Sequence, residues 1–415
     1  MVNKWETGSV MKRKILFISM CLPFDKAFHA GGKTFNYYIN QFANDDDNEV
    51  TLIAKVLPEE EKYIDSINGN INLYTVSTPK NKIKKIFSYV KSLNSKLNPY
   101  YKYGNVLTKE IYDQIFDLVL IMKKNSYQPD VVVLEWTSML LFIDKIKKVF
   151  PNAVYVASEH DVSFLGYERK YYAAKNLFKR IYAKAAYDSL KKHEIDAINS
   201  CNLVVTHNNK DKELLIKNEI NESKLDVIAP YYDKFPSTRR TPQKGNIIFY
   251  GAMNRVENSS SAIWFIDNVM PLLNDYNMQF TIIGNKPPRE LLDRANEKIT
   301  VTGFVDDPAP YFENAMCLVA PLLLGAGVKV KIIEGLSSGV PVVTNAIGIE
   351  GIDAEDGKEY FFATSPEEYA EIIIKMMNGS IDLSEMSANA HKLIEEKYDL
   401  NKSYDNYSRR IYDLL

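Results

Sequence analysis

Long apolar runs are missing from this chain of 415 residues. None approaches the roughly 20 residues that a bilayer span needs, so no transmembrane segment is read. Cysteine is scarce. Cys21, Cys201 and Cys317 are scattered without metal-site spacing, which fits a reducing compartment. Excess charge is missing as well, and a net charge of -2 argues against bulk nucleic-acid binding. No G-x-G-x-x-G follows the first strand candidate. That turn holds only the pair Gly31 and Gly32, which disfavours a dinucleotide oxidoreductase. Low-complexity tracts are absent too. The opening MVNKWETGSVMKRKILFISMCLPF superficially resembles a signal peptide, but its apolar part, ILFISMCL, is short and no small-residue cleavage site follows. It reads as a first buried strand, with Met11 as a natural start and residues 1–10 as an extension.

What is present is ordinary globular material, 46% hydrophobic and 25% charged. Short β-branched runs alternate with longer amphipathic stretches. KILFISM (14–20), EVTLIAK (49–55), INLYTV (71–76), DVVVLEW (130–136), AVYVASEHD (153–161), LVVTH (203–207) and DVIAP (226–230) are the strand candidates of the first half. NIIFYGA (246–252), MQFTIIG (278–284), ITVTGFV (299–305), CLVAPLLL (317–324) and PVVTN (341–345) are those of the second. Continuous apolar strands separated by helices predict parallel sheets covered on both faces, an α/β doubly wound pattern that occurs twice. The Pro-rich, polar stretch 230–245 reads as a linker between an N-terminal domain over 11–229 and a C-terminal domain over 246–395. Residues 396–415 carry Tyr404, Tyr407, Ile411 and Leu414 at helical spacing and predict a docked terminal helix.

The stretch GAGVKVKIIEGLSSGVPVV (325–343) carries the densest chemistry. A strand leads through Gly325 and Gly327 into a helix start, whose unpaired N–H groups and partial positive charge attract phosphate. The glycines allow close approach of a ligand, and Lys329 and Lys331 supply cations. Glu334 is poorly suited to phosphate but suits the hydroxyl donors of a ribose diol. A nucleoside diphosphate satisfies all of these. The alternative is a tight turn with solvated lysines, one of them paired to Glu334.

With these residues the stretch resembles the signature of retaining glycosyltransferases of family 4, which have the GT-B fold. FDKAFHAGGKTFNYYINQFA (24–43), EHDVSFLGYER (159–169), HEIDAINSCNLVVTHNNKDKELL (193–215), FYGAMNRVENSSSAIWFIDNVMPLL (249–273) and VTGFVDD (301–307) resemble further segments of that family, in matching order. The resemblance implies two Rossmann-like domains facing a cleft, an N-terminal one for the acceptor and a C-terminal one for a nucleotide-sugar donor, with the terminal helix packed back on the N-terminal domain. It implies catalytic roles for His160, Arg255 and Lys331, with Lys331 on the pyrophosphate, Glu334 on the ribose and His160 facing the donor sugar. Gly31, Gly32, Gly251, Gly303, Phe304, Gly325, Ala326, Gly327, Val328 and Lys329 complete the implied donor site. Two positions depart from the pattern. Ala326 stands where many members have a glutamate on the sugar hydroxyls, and VENSSS follows Arg255 where a lysine is usual.

Competing readings remain beside these. His160 could be a structural histidine at a strand end, with Glu159 and Asp161 either orienting it or serving as ordinary loop carboxylates. NDDDNEV (44–50) resembles a metal-binding cluster but reads as a solvated turn, and no required metal or other cofactor is expected. Asp306 and Asp307 read as helix caps. Residues 79–105 carry seven lysines and no acid, and 167–192 set Phe178, Ile181, Tyr182 and Ala185 at helical spacing among basic residues. Both are candidates for peripheral contact with a membrane surface, or are ordinary helices with solvated lysine faces.

The expectation is a cytoplasmic hexosyltransferase, peripheral at the inner face of the membrane. It moves a sugar from a UDP- or GDP-sugar to a hydroxyl acceptor, such as a lipid-linked glycan, in cell-surface glycan synthesis. Its rivals are a nucleotide-sugar epimerase of the UDP-N-acetylglucosamine type and an inactive donor-binding scaffold, for which Ala326 is the hint.

Overall fold

A computed structural model describes residues 12–25, 27, 29–77, 98–100, 108–235, 240–325 and 327–415. The chain forms two compact units, one running to Ile228 and taking back Asn401–Leu415, the other spanning Ala229–Leu400.

The first unit is built on seven parallel strands: β1 (Arg13–Ser19), β2 (Asn48–Val56), β3 (Ile71–Ser77), β4 (Val131–Glu135), β5 (Val154–Glu159), β6 (Leu203–Thr206) and β7 (Leu225–Val227). Their order is β3-β2-β1-β4-β5-β6-β7. Period-two side chains explain the apolar runs. Ile15 and Phe17 of β1 enter one core, Leu16 and Ile18 the other, so the strand must be greasy on both faces. The terminal helix Leu400–Tyr412 covers one face: Tyr407 and Ile411 are buried in the core with Phe42, and Tyr404 packs beside them. Leu414 lies beyond the helix and is exposed, unlike the expectation.

The second unit has six parallel strands: β8 (Asn246–Tyr250), β9 (Gln279–Ile283), β10 (Ile299–Gly303), β11 (Cys317–Ala320), β12 (Val342–Thr344) and β13 (Phe361–Phe362), ordered β10-β9-β8-β11-β12-β13. The strand expected over 317–324 stops at Ala320, because Pro321 has no N–H to continue the ladder. The two-residue β13 carries too little pattern to be read from sequence.

Each sheet reverses its winding once, between β1 and β4 in the first unit and between β8 and β11 in the second. In open α/β sheets, ligands bind outside the carboxyl ends of the strands at such a reversal.

Candidate functional site

In the second unit the expected donor residues gather at that reversal. Gly251 follows β8, Gly284 follows β9 and Gly303 ends β10. The chain is tight there. A Cβ on Gly284 would fall 1.7 Å from the Gly251 carbonyl oxygen, and one on Gly251 would lie 2.9 Å from both Lys331 Nζ and Asn258 Nδ2. Gly251 also has φ +151°, in the region that side chains avoid. These positions hold glycine because a backbone and an ammonium fill the space.

Lys331 sits in the first turn of the helix Val330–Ser337. Its Nζ donates to Asn258 Oδ1 and lies 4.8 Å from the Phe249 ring centroid. Burial, then the nearby Arg255 guanidinium, pushes its pKa from 10.5 down to about 7. An ammonium held there is short of negative charge and gains from an arriving phosphate. Arg255 precedes the helix Val256–Asn268, half exposed, with its guanidinium on Glu257. Glu334, one turn beyond Lys331, is buried and accepts from the Asp233 backbone N–H at 3.4 Å. The ion pair at this turn joins Lys329 to Glu350, at 3.5 Å, while Lys329 also donates to the Gly327 carbonyl. Gly325 and Gly327 have φ of +145° and +68°, Val328 is half-buried beside them, and Ala326 lies outside the described residues. Phe304 follows β10 as an aromatic face left 68% exposed. Asp307 accepts from Ala309 N at 2.9 Å, but the N-cap of the helix Ala309–Asn314 is Pro308, not Asp306 or Asp307.

In the first unit, Gly31 and His160 come together at the other reversal. Gly31 opens the helix Ala30–Asn44, which His29 caps by accepting from Gly32 N at 2.9 Å. A Cβ on Gly31 would meet His160 Nδ1 at 3.2 Å, and one on Gly32 would meet Ala27 and His29 at 3.1 Å. The acidic side chain bonded to His160 comes from the neighbouring strand. It is Glu135, at the end of β4, whose Oε2 lies 2.9 Å from Nε2. Glu159 instead accepts from Thr137 Oγ1 at 2.6 Å. The His160 ring stacks on Trp136 at 4.1 Å and lies 4.6 Å from His207, at the end of β6. Burial raises the Glu135 carboxyl to about 8 and lowers His160 to about 3. Both shifts favour a neutral pair, carboxylic acid with imidazole, because neither charge is solvated. Trp136 has φ +67°, a left-handed backbone that costs a bulky residue on the order of 1–3 kcal/mol and is held by its surroundings.

Glu135, Trp136, His207, Asn258 and Gly284 are the site residues that sequence reasoning missed. Their one signal was position, since each lies at or just past the carboxyl end of a strand or, for Asn258, inside the VENSSS departure.

Asp45 and Asp47 of the acidic turn face Arg13, at 3.2 and 3.7 Å. Among the described residues no group of three or more His, Cys, Asp or Glu is arranged to hold a metal ion, and no helix is long and apolar enough to cross a membrane. The 79–105 segment lies outside the described residues except for 98–100.

Residues 244–379 match the family model described as Glycosyl transferases group 1. An uncharacterized 44.6 kDa protein in the cps region of Klebsiella pneumoniae is 26% identical over 261 residues, which cover 60% of this chain and 66% of that relative's length. Among solved structures, a Rickettsia africae glycosyltransferase superposes with TM-score 0.65 at 15% identity, over 97% of this chain and 98% of that one. Anabaena HepE in complex with UDP gives 0.65 at 12%, over 96% and 100%. WaaG, a glycosyltransferase involved in lipopolysaccharide biosynthesis, gives 0.63 at 14%, over 96% and 99%. At these identities the likeness speaks for the fold, which is GT-B. The family match covers residues 244–379 alone, so it is that segment of the second unit that resembles the group 1 glycosyl transferases.

Proposed function

We propose that the chain is a retaining, family 4 glycosyltransferase that moves a hexose from a UDP- or GDP-sugar to a hydroxyl acceptor. The observation that carries this reading is Lys331: a depressed ammonium against Gly251, at the sheet reversal, inside the matched family segment. HepE, a structural neighbour, binds UDP, which supports a nucleotide donor here.

Transfer breaks the bond between the sugar's anomeric carbon and the diphosphate and forms one to the acceptor oxygen. The departing phosphate gains negative charge and takes the acceptor's proton, so no protein nucleophile is needed. The required help is electrostatic. Lys331 and the helix start beside it receive the diphosphate, and Arg255 turns from Glu257 to join them. Glu334 accepts from the ribose hydroxyls, and Phe304 flanks the base. Gly325, Gly327 and Val328 line the sugar side through backbone N–H groups, with Lys329 adding charge. In the first unit Glu135 holds His160 beside Gly31, next to Gly32, the arrangement that the family resemblance assigns to the donor sugar. With these cations facing the diphosphate, the reaction is expected to need no metal or other cofactor.

The cps-region relative and WaaG, the lipopolysaccharide-biosynthesis neighbour, support a role in cell-surface glycan synthesis. A lipid-linked acceptor would place the enzyme on the cytoplasmic side, peripheral at the membrane surface, through 167–192 and 79–105.

A thermal-shift panel with UDP, GDP, ADP, CMP and NAD, each with and without EDTA, tests the donor site. One nucleoside diphosphate should raise the melting temperature, unaffected by EDTA. Its sugar conjugate should then be consumed only when acceptor is present. Conversion without acceptor would mean an epimerase, and binding without turnover a scaffold.

A further inference from the structure

The first unit carries a helical hairpin, Ser163–Ala173 packed on Leu177–Asn199. The end of it nearer the sheet is an ordinary core element. Ala186, Leu190, Ala197 and Ile198 are buried, and Glu194 accepts from the Ser163 and Phe164 N–H groups at 2.8 and 2.9 Å. The other end is different. Tyr172 is 70% exposed, Leu177 68%, Phe178 81% and Ile181 60%, with Tyr182 exposed beside them. Four of these five fall on the first two turns of one helix, so they form one apolar tip rather than scattered contacts.

The charge around this tip has one sign. Arg169, Lys170, Lys175, Lys179, Arg180 and Lys184 lie between residues 169 and 187, and no Asp or Glu does. Lys184 meets Asp188 at 2.5 Å, and Glu168 and Asp188 bound the run on either side. The tip is also pre-shaped: the Asn176 side chain caps the long helix by accepting from Phe178 N and Lys179 N. Large apolar side chains projecting from a rigid turn, ringed by cations, match a surface that is apolar inside and anionic outside. Single-stranded nucleic acid fits less well, because Leu177 and Ile181 offer no ring to stack on a base.

We propose that the tip of this hairpin, Tyr172 with Leu177–Tyr182, docks on an anionic lipid bilayer, the apolar side chains entering the headgroup boundary and the flanking cations meeting lipid phosphates. The surface stands whether or not the chain transfers a sugar.

The test is co-sedimentation of the full chain with phosphatidylcholine vesicles, with and without about one third phosphatidylglycerol. The chain should pellet with the anionic vesicles and stay in solution with the neutral ones. Raising salt from about 0.05 to 0.5 M should weaken partitioning by roughly tenfold. Phe178→Ser with Ile181→Ser should reduce it on the order of a hundredfold, and Lys179→Glu with Arg180→Glu by at least about tenfold. These positions are solvent-exposed, so the melting temperature should not move, and the nucleotide-induced shift read in the same samples should persist. Loss of that shift alone would count against the donor site and not against docking. Failure of the wild-type chain to pellet, or pelleting of the Phe178/Ile181 variant like wild type, overturns the proposal. So does self-association that this variant abolishes without any vesicle binding, which would make the tip an interface between copies.

Discussion

The proton on Lys331 links the geometry of the second unit to a measurable pH dependence. Burial, with Arg255 behind it, lowers this pKa from 10.5 to about 7. Between those values the unfolded chain holds the proton and the folded chain does not, so this group's contribution to stability rises with pH across the window. A bound diphosphate reverses the preference, since it favours the ammonium. Below about pH 7 the proton is already in place; above it, every diphosphate that binds must bring one in. If the bound lysine stays charged, the apparent Kd grows as one plus ten to the power (pH minus 7), roughly 16-fold between pH 7 and 8.5. Titration calorimetry with the nucleoside diphosphate selected by thermal shift, in two buffers of different ionisation heat, reads both the Kd and the proton count. Uptake should approach one proton per ligand near pH 8.5. Lys331→Met should bind weakly, by about 1.5–3 kcal/mol, with no proton uptake, and it reports whatever the nucleotide's own ionisations contribute. A wild-type Kd constant within about twofold over this range, with no buffer-dependent heat, would refute the assignment of Lys331 to the diphosphate.

Three further perturbations separate the roles. Glu334→Ala should weaken nucleoside diphosphate binding about tenfold while leaving inorganic pyrophosphate within about twofold, and equal loss of both would count against a ribose contact. Gly251→Ala puts a methyl 2.9 Å from Lys331 Nζ at φ +151°; it should cost about 1–3 kcal/mol of stability and more than tenfold in diphosphate affinity by titration. Unchanged affinity would mean the ligand does not approach that strand end. Glu135→Ala strands the buried His160 Nε2 and should cost about 1–3 kcal/mol in denaturant melts, with Glu135→Gln, which keeps a hydrogen-bonding group there, recovering most of it. Equal stability of the two variants would show that the bond contributes little.

Much of the fold was legible because both sheets are parallel and covered on both faces. Ile15 to Ile18 have to be apolar without alternation, and that run is visible in a single sequence. The strand over 317–324 was read too long by the same logic, since apolar character alone does not register the missing N–H of Pro321. At the sites, legibility followed local backbone need. Gly31, Gly251, Gly325 and Gly327 announce themselves because a tight turn or a close approach is decided within a few residues.

Partnerships across strands left no such trace. Glu135 meets His160 because β4 and β5 run parallel with Glu135 opposite Ser158, a register set by the pairing of two strands distant in sequence and not by the residues beside His160. A reader of the sequence looks for the orienting acid beside His160 in the chain and finds Glu159 and Asp161. The sheet supplies it from the neighbouring strand end instead. Asn258 makes the same point in the second unit. VENSSS reads as the loss of a cation, yet its amide reaches Lys331 and holds the remaining ammonium against Gly251. The neutral amide of Asn258 gives this buried ammonium an acceptor without adding another positive charge to repel it.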